Sequence, residues 1–233
     1  KKRLRCKRDF TKFNKKLLSS YDKPKSLIMS FTTHDEVSPV LINGENYSLM
    51  ICWLEATLPF NPYFIDGFST GDDYSYKMEN TKAPSSETDD DYYFVHKGKL
   101  DIFNFSRKPQ GSSDLIKNNY NWAMTFRNDH SDMISKGSFT PLKVDKEKVF
   151  AYSRSYKDST IIVAGNLDYK HFLRHARIKV PGLKKNSKLN SVHGLINYRV
   201  RKNRIITDFA PGEIKVLRID DFGIYGPNGA NRL

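Results

Sequence analysis

The sequence predicts an α/β portion followed by an all-β portion. In the first half, helical patterns alternate with short apolar runs, the order that produces parallel βα units. After Gly137, short β-rich runs bounded by turns recur about every ten residues, a pattern typical of an antiparallel β-sandwich. The change of pattern predicts a domain boundary near Lys136.

Length and composition are those of a folded, basic protein. The 233 residues are 38% hydrophobic and carry a formal net charge of +13, enough for one large or two ordinary domains. Outside residues 1–8 and 199–204 the positive charge is dispersed, as on a solvated surface, so nucleic-acid binding is not expected. No apolar stretch approaches the roughly 20 residues of a membrane span. Cys6 and Cys52 supply neither a disulfide framework nor a zinc site.

Spacing and turn residues define the elements of the α/β portion. Residues 26–32 form a short apolar run, which predicts a strand buried on both faces. A second short strand is predicted over 62–66. Helical periodicity predicts three helices, over 9–21, 45–58 and 115–129. In the all-β portion, strands are predicted over 149–154, 160–166, 176–180, 195–200, 204–209 and 213–219.

Two titratable side chains, His34 and Asp35, come directly after the first predicted strand. Barrels and open α/β sheets keep their catalytic groups at the carboxyl ends of parallel strands. His34 and Asp35 are therefore candidate site residues. The alternative is that Asp35 caps the following turn and His34 is an ordinary loop residue.

A long polar segment, 68–98, follows the second predicted strand and shows little periodicity. Irregular segments of this length in a compact domain are usually functional loops. The segment emerges from the sheet edge that would carry His34 and Asp35, so it is expected to lie beside the candidate site.

The order of these segments resembles the C-terminal half of an α-amylase family glycoside hydrolase. The resemblance rests on a strand ending in His34-Asp35, a helix closing on Leu58-Pro59, the run 62–68, a helix with Arg127, and Ala210 to Glu213 in the β-rich part. It implies that 26–35 and 62–67 are the seventh and eighth strands of a (β/α)8 TIM barrel. Residues 1–136 would then be the C-terminal portion of the catalytic barrel, 137–221 a β-sandwich called domain C, and 222–233 a C-terminal extension.

The resemblance also implies roles for individual residues. Asp35 would stabilise the oxocarbenium-like transition state and His34 would bind the same sugar ring. Tyr63, Tyr74 and Tyr76 would contact substrate, whereas a solvated loop with incidental tyrosines is the alternative for the last two. The chain departs from the family pattern at two positions. Thr33 replaces the Asn before the His, and Ser69 replaces the Glu of a run found in maltosyltransferase-like members.

The nucleophile and general acid of a retaining glycosidase have no counterpart in this sequence. By resemblance they lie on earlier barrel strands, so the chain is expected to be part of a longer enzyme whose N-terminal half is its partner, and to be inactive alone. The expected substrate is an α-glucan or malto-oligosaccharide. No cofactor is evident, and a calcium site in the complete enzyme is left open.

Three alternatives for the function stay open at this point. One is a transglycosylase of the same family, which differs only in whether a sugar hydroxyl or water attacks the covalent intermediate. Another is a non-catalytic carbohydrate-binding or interaction protein, and a third is a nucleic-acid-binding module. The sequence indicates no compartment, with the cytoplasm slightly favoured.

Overall fold

The computed structural model describes residues 6–20, 27–32, 38–73, 111–185, 187–194 and 197–219. Their helices are α1 (Lys7–Ser20), α2 (Pro39–Asn43), α3 (Glu45–Thr57), α4 (Asp114–Asp129) and α5 (Ser131–Lys136), with a 3-10 turn at Phe68–Thr70. The helices predicted over 9–21, 45–58 and 115–129 are present as α1, α3 and α4. None of the helices in these ranges is long and apolar enough to cross a membrane.

A five-stranded and a four-stranded antiparallel sheet form the β-rich part, as the sequence predicts. The strands are β1 (Ile28–Met29), β2 (Asn61–Pro62), β3 (Ser138–Pro141), β4 (Lys143–Val144), β5 (Val149–Tyr156), β6 (Ser159–Asn166), β7 (Leu173–Lys179), β8 (Leu189–His193), β9 (Tyr198–Arg201), β10 (Arg204–Phe209) and β11 (Ile214–Ile219). The five-stranded sheet has the order β3-β5-β6-β11-β8 and the four-stranded sheet the order β4-β7-β10-β9. β1 and β2 form a separate parallel pair.

The central layer of the molecule is the five-stranded sheet, which is covered on both faces. On one face, Ile161 and Val163 of β6 join a core with Trp53 of α3. On the other face, Ile162 of β6 packs with Ile178 of the four-stranded sheet. Neighbouring residues of one strand therefore serve two cores, which explains why β6 is buried almost throughout.

The predicted boundary near Lys136 coincides with the end of α5. The helix-side core nevertheless runs across this position, since it holds Met50 and Phe126 together with Tyr152 and Val216. A buried arginine adds a polar link, because Arg154 Nη2 donates to the carbonyl oxygens of Met133 (2.8 Å) and Ile134 (2.6 Å). Burial lowers the pKa of Arg154 to about 10. The domain division stays a prediction.

Several elements differ from the sequence-based prediction. The first strand was expected over 26–32 and buried on both faces, but β1 has two paired residues and Ile28 is 68% exposed. The reason is that the helices of the described ranges cover one face of the β1–β2 pair and leave Ile28 on the other. α2 was missed because its five residues are too few to show a helical period. β3, β4 and β8 were missed because they are short strands whose outward residues are polar.

Packing of the central sheet makes one stability prediction at Gly165 of β6. A Cβ built at Gly165 would lie 2.5 Å from Phe150 Cζ. Phe150 is itself stacked on Phe10, with ring centroids 4.2 Å apart, so its ring has little room to move. We expect Gly165→Ala to lower the free energy of unfolding by about 1–3 kcal/mol in urea titrations.

Ser159→Ala is the matched control, because Ser159 is exposed at the start of the same strand. Its unfolding free energy should stay within about 0.5 kcal/mol of the parent value. Equal stability of the two variants would contradict the close packing of Phe150 against Gly165.

Candidate functional site

β1 and β2 lie side by side and parallel, and β2 covers Asn61–Pro62 where the sequence predicts a strand over 62–66. Ile28 is paired with Asn61 and Met29 with Pro62. Asn61 N donates to Leu27 O at 2.9 Å, and Tyr63 N donates to Met29 O at 3.1 Å. Because the strands are parallel and connected through α2 and α3, their carboxyl ends share one edge. We call this edge, formed by the chain around Thr32 and Ile65, the rim.

Among the described residues, helices cover one face of the parallel pair. Met29 is buried in the same core as residues of α3. Side chains alternate along a strand, so Ile28, its partner Asn61, and Tyr63 lie on the opposite face. Ile28 is 68% exposed and Tyr63 51% exposed. The pair therefore presents an open, partly apolar face.

A buried carboxyl group of α3 bridges the two strands. Glu55 Oε1 accepts from Phe31 N at 3.1 Å, and Glu55 Oε2 accepts from Tyr63 N at 3.0 Å. Burial raises the pKa of Glu55 to about 8, while the two N–H donors and the Arg127 charge act in the opposite direction. Glu55 thus attaches both strands to the helix between them, just before the rim.

An arginine of α4 fixes the end of the helix that carries Glu55. Arg127 Nη1 donates to Glu55 O at 2.8 Å and to Leu58 O at 3.1 Å, and Arg127 Nη2 donates to Phe60 O at 2.5 Å. Burial lowers the pKa of Arg127, and the nearby Glu55 opposes that effect. These bonds satisfy carbonyl groups that a helix end leaves without partners.

The carboxyl end of β1 is attached to the segment that follows β2. Thr32 Oγ1 accepts from Ile65 N at 3.3 Å, and Thr32 N donates to Ser30 Oγ at 3.1 Å. Thr32 is buried. The chain that leads into Thr33, His34 and Asp35 therefore starts from an anchored residue.

A glycine-bounded turn follows β2 and packs on the start of α4. Gly67 and Gly71 have φ values of 85° and 72°, the left-handed region that favours glycine. Ser113, the N-cap of α4, donates its backbone N–H to Thr70 O at 2.9 Å. A Cβ at Gly71 would lie 2.7 Å from the Ser113 Cβ, so this close approach also requires glycine.

Most of the predicted site residues lie outside the described residues. These are His34, Asp35, Tyr74 and Tyr76. Tyr63 is described and lies on the open face. Within the described ranges, no group of three His, Cys, Asp or Glu side chains could hold a metal ion.

Sequence reasoning missed Glu55 and gave Arg127 no structural role. A signal for Glu55 was present, because it is the one carboxylate in the mostly apolar second half of α3. A carboxyl group in such a position is buried and needs specific partners. Those partners come from two distant segments, which the sequence alone does not bring together.

By sequence, neither a protein-family model nor a curated protein matches the chain. By structure, the chain is similar to α-amylase from Geobacillus thermoleovorans in complex with acarbose, with a TM-score of 0.66, 15% identity and coverage of 93% of this chain and 44% of that one. The chain shares its fold with α-amylase family enzymes. The resemblance seen in the sequence is confirmed at the level of fold.

Two further α-amylase family structures show the same relation. A debranching enzyme from Nostoc punctiforme has a TM-score of 0.63 and 14% identity, covering 90% of this chain and 37% of that one. A maltogenic α-amylase from Thermotoga neapolitana has a TM-score of 0.64 and 14% identity, covering 92% and 46%. The chain thus spans less than half the length of each of these three enzymes.

The bridging carboxyl of Glu55 predicts a pH-dependent stability. Its pKa is raised from about 4.5 to about 8 in the folded chain. The stabilising contribution is therefore complete below about pH 4.5 and is lost as the pH rises through 8, by up to about 1.4 kcal/mol per pH unit. Urea unfolding between these pH values should show the decline.

Glu55→Gln should remove this decline and lower stability at pH 5 by about 1–3 kcal/mol, because the amide offers one acceptor to two N–H donors. Glu147→Gln is the control, since Glu147 is an exposed carboxylate paired with Lys7 at 3.6 Å. It should keep the parent pH dependence. An unchanged pH dependence in Glu55→Gln would show that Glu55 is not the titrating group.

Proposed function

We propose that the chain is the C-terminal part of a retaining α-glucan-acting glycoside hydrolase of the α-amylase type. The observation that carries the proposal is the parallel pairing of β1 with β2 across α3, with Glu55 holding both strands. In this proposal β1 and β2 are the seventh and eighth strands of a (β/α)8 barrel. Residues 1–136 belong to that barrel, 137–221 form domain C, and 222–233 are an extension.

The open face of the β1–β2 pair supports the proposal that further barrel strands come from an N-terminal half of the enzyme. Within the described part of the chain, β1 and β2 pair only with each other, so each has one free edge. Ile28 and Tyr63 are exposed on the face away from α3. A closed barrel removes free edges and fills its interior with side chains. The N-terminal half of the same enzyme would supply strands that pair with the free edges and side chains that fill the barrel interior.

The chemistry proposed for the rim follows from charge development. Glycoside cleavage passes through an oxocarbenium-like state, and hydrogen bonds to the sugar hydroxyls strengthen as it forms. Asp35 would accept such bonds and His34 would donate to the same ring. Tyr63, Tyr74 and Tyr76 would contact the sugar chain. The nucleophile and the general acid, about 5–5.5 Å apart in retaining enzymes, would come from the N-terminal half.

Glycosyl transfer and a non-catalytic role remain the competing proposals. Transfer is supported by the run 67–72, which is similar to the segment of maltosyltransferase-like enzymes. A binding or interaction role is supported by the departures at Thr33 and Ser69. Incubation of the complete enzyme with a malto-oligosaccharide separates all three, because transfer redistributes chain lengths, hydrolysis only shortens them, and a binding protein leaves them unchanged.

In the complete enzyme, Asp35→Asn should lower kcat by several orders of magnitude, because the amide cannot stabilise the developing positive charge. Asp129→Asn, an exposed carboxylate at the end of α4, is the matched control and should keep parent activity. Near-normal turnover of Asp35→Asn would remove Asp35 from the mechanism.

His34→Ala should raise KM and lower kcat more modestly, whereas unchanged kinetics would assign His34 a structural role.

The chain alone should release no reducing sugar from a malto-oligosaccharide, because it lacks the nucleophile and the acid. Addition of the separately produced N-terminal half, or its fusion to the chain, should restore release. Hydrolysis by the chain alone would contradict the proposed division of catalytic groups.

A further inference from the structure

Strand pairing gathers basic side chains on the outer face of the four-stranded sheet. Lys143 lies opposite Lys179, Lys179 opposite Arg204, and Arg204 opposite Arg201. Each of the four strands therefore contributes one basic residue to a single row across the sheet. In an antiparallel sheet, residues directly opposite each other point to the same face.

A second row lies two residues further along the strands. Ile206 is at its centre, with Arg177 on one side and Arg199 on the other. The six basic side chains are exposed, whereas the intervening Ile178 and Ile205 are buried against the central sheet. We call these six residues the basic face: Lys143, Arg177, Lys179, Arg199, Arg201 and Arg204.

The charges of the basic face are poorly compensated within the part of the chain that the structure describes. Asp145 Oδ2 lies 3.8 Å from Arg177 Nη1, and this is the one ion pair that the basic face makes with described residues. Asp208, at the far end of β10, is hydrogen-bonded to His175 N at 2.7 Å instead. Like charges directly opposite each other on a sheet are destabilising. The arrangement therefore costs stability unless an anion binds there.

We propose that the basic face binds the phosphate backbone of a nucleic acid without sequence preference. Four cross-strand positions about 4.8 Å apart, and two rows about 7 Å apart, make a compact patch of charge. Duplex DNA carries one charge per about 1.7 Å of its axis, dense enough to engage several of these residues at once. Four of the six are arginines, whose guanidinium groups form bidentate hydrogen bonds with phosphate.

Other features of the basic face favour contact with the backbone alone. Its six residues are lysines and arginines, which carry no aromatic ring on which a base could stack, and they lie on strands and not on a helix that could enter a groove. An anionic membrane is less suitable, because peripheral binding normally adds apolar side chains that insert, and Ile206 is half-buried in the sheet. This inference is independent of the proposed glycosidase function.

The sequence argues against nucleic-acid binding because, outside residues 1–8 and 199–204, its basic residues are dispersed along the chain. The antiparallel register changes this distribution. Residues 143, 179, 201 and 204 are separated by up to about sixty positions in sequence and become direct neighbours through pairing. A charge pattern that is ordinary along the chain is concentrated on the sheet.

The test is fluorescence anisotropy with a labelled mixed-sequence DNA duplex of about 20 base pairs in about 50 mM salt. The full chain should bind, with log Kobs falling against log salt at a slope of about −4, as expected for four or five phosphate contacts. Arg201→Gln/Arg204→Gln should weaken binding at least tenfold and reduce the slope by about two. Lys143→Gln/Lys179→Gln, on the other half of the row, should do the same.

Lys117→Gln/Lys170→Gln is the control, because it removes equal charge from exposed positions outside the basic face. It should change affinity less than twofold, with circular dichroism spectra confirming that every variant is folded. Three results would overturn the proposal: no binding by the parent chain, equal weakening in the control, or retention on phosphatidylserine vesicles without DNA binding. The last would assign the basic face to a lipid surface.

Discussion

The position of the rim depends on one buried carboxyl group. β1 and β2 contain two paired residues each, and a parallel pair this short is not stable by itself. Glu55 supplies the missing attachment, because its two oxygens accept one backbone N–H from each strand. Burying a carboxyl group is costly, and those bonds and the nearby guanidinium of Arg127 offset only part of that cost, so the pKa of Glu55 is raised to about 8. The helix between the strands therefore sets the register of both.

The second constraint is the sharing of the five-stranded sheet between two cores. Its strands send alternate residues to the helices and to the four-stranded sheet. Phe10 of α1 stacks on Phe150, and Thr57 at the end of α3 is hydrogen-bonded to the Tyr152 hydroxyl at 2.7 Å. The segment that carries Glu55 is consequently fixed to the β-rich part of the chain, and the rim has a defined place relative to the sheets.

Sequence reasoning succeeded where the local pattern is long or the strand apolar. α1 and α4 show helical periods over three or more turns, α3 is a long and mostly apolar run that ends before Pro59, and β6 and β10 are dense in β-branched residues. It failed where the determinant is non-local. Glu55 looks like a single carboxylate in a mostly apolar stretch of helix, and only strand register joins Lys143, Arg177 and Lys179 to the basic residues of 199–204. For the site, Tyr63 was found on the open face, while His34 and Asp35 stay predictions because they lie outside the described residues.

The most direct test of the central claim is a crystal structure of a longer polypeptide, carrying this chain and the proposed N-terminal half, in complex with acarbose. We expect both free edges of the β1–β2 pair to be joined by further parallel strands. We also expect acarbose to lie at the rim with a sugar hydroxyl about 2.5–3 Å from the Asp35 carboxylate. Acarbose bound elsewhere, or an Asp35 side chain turned away from the rim, would contradict the account.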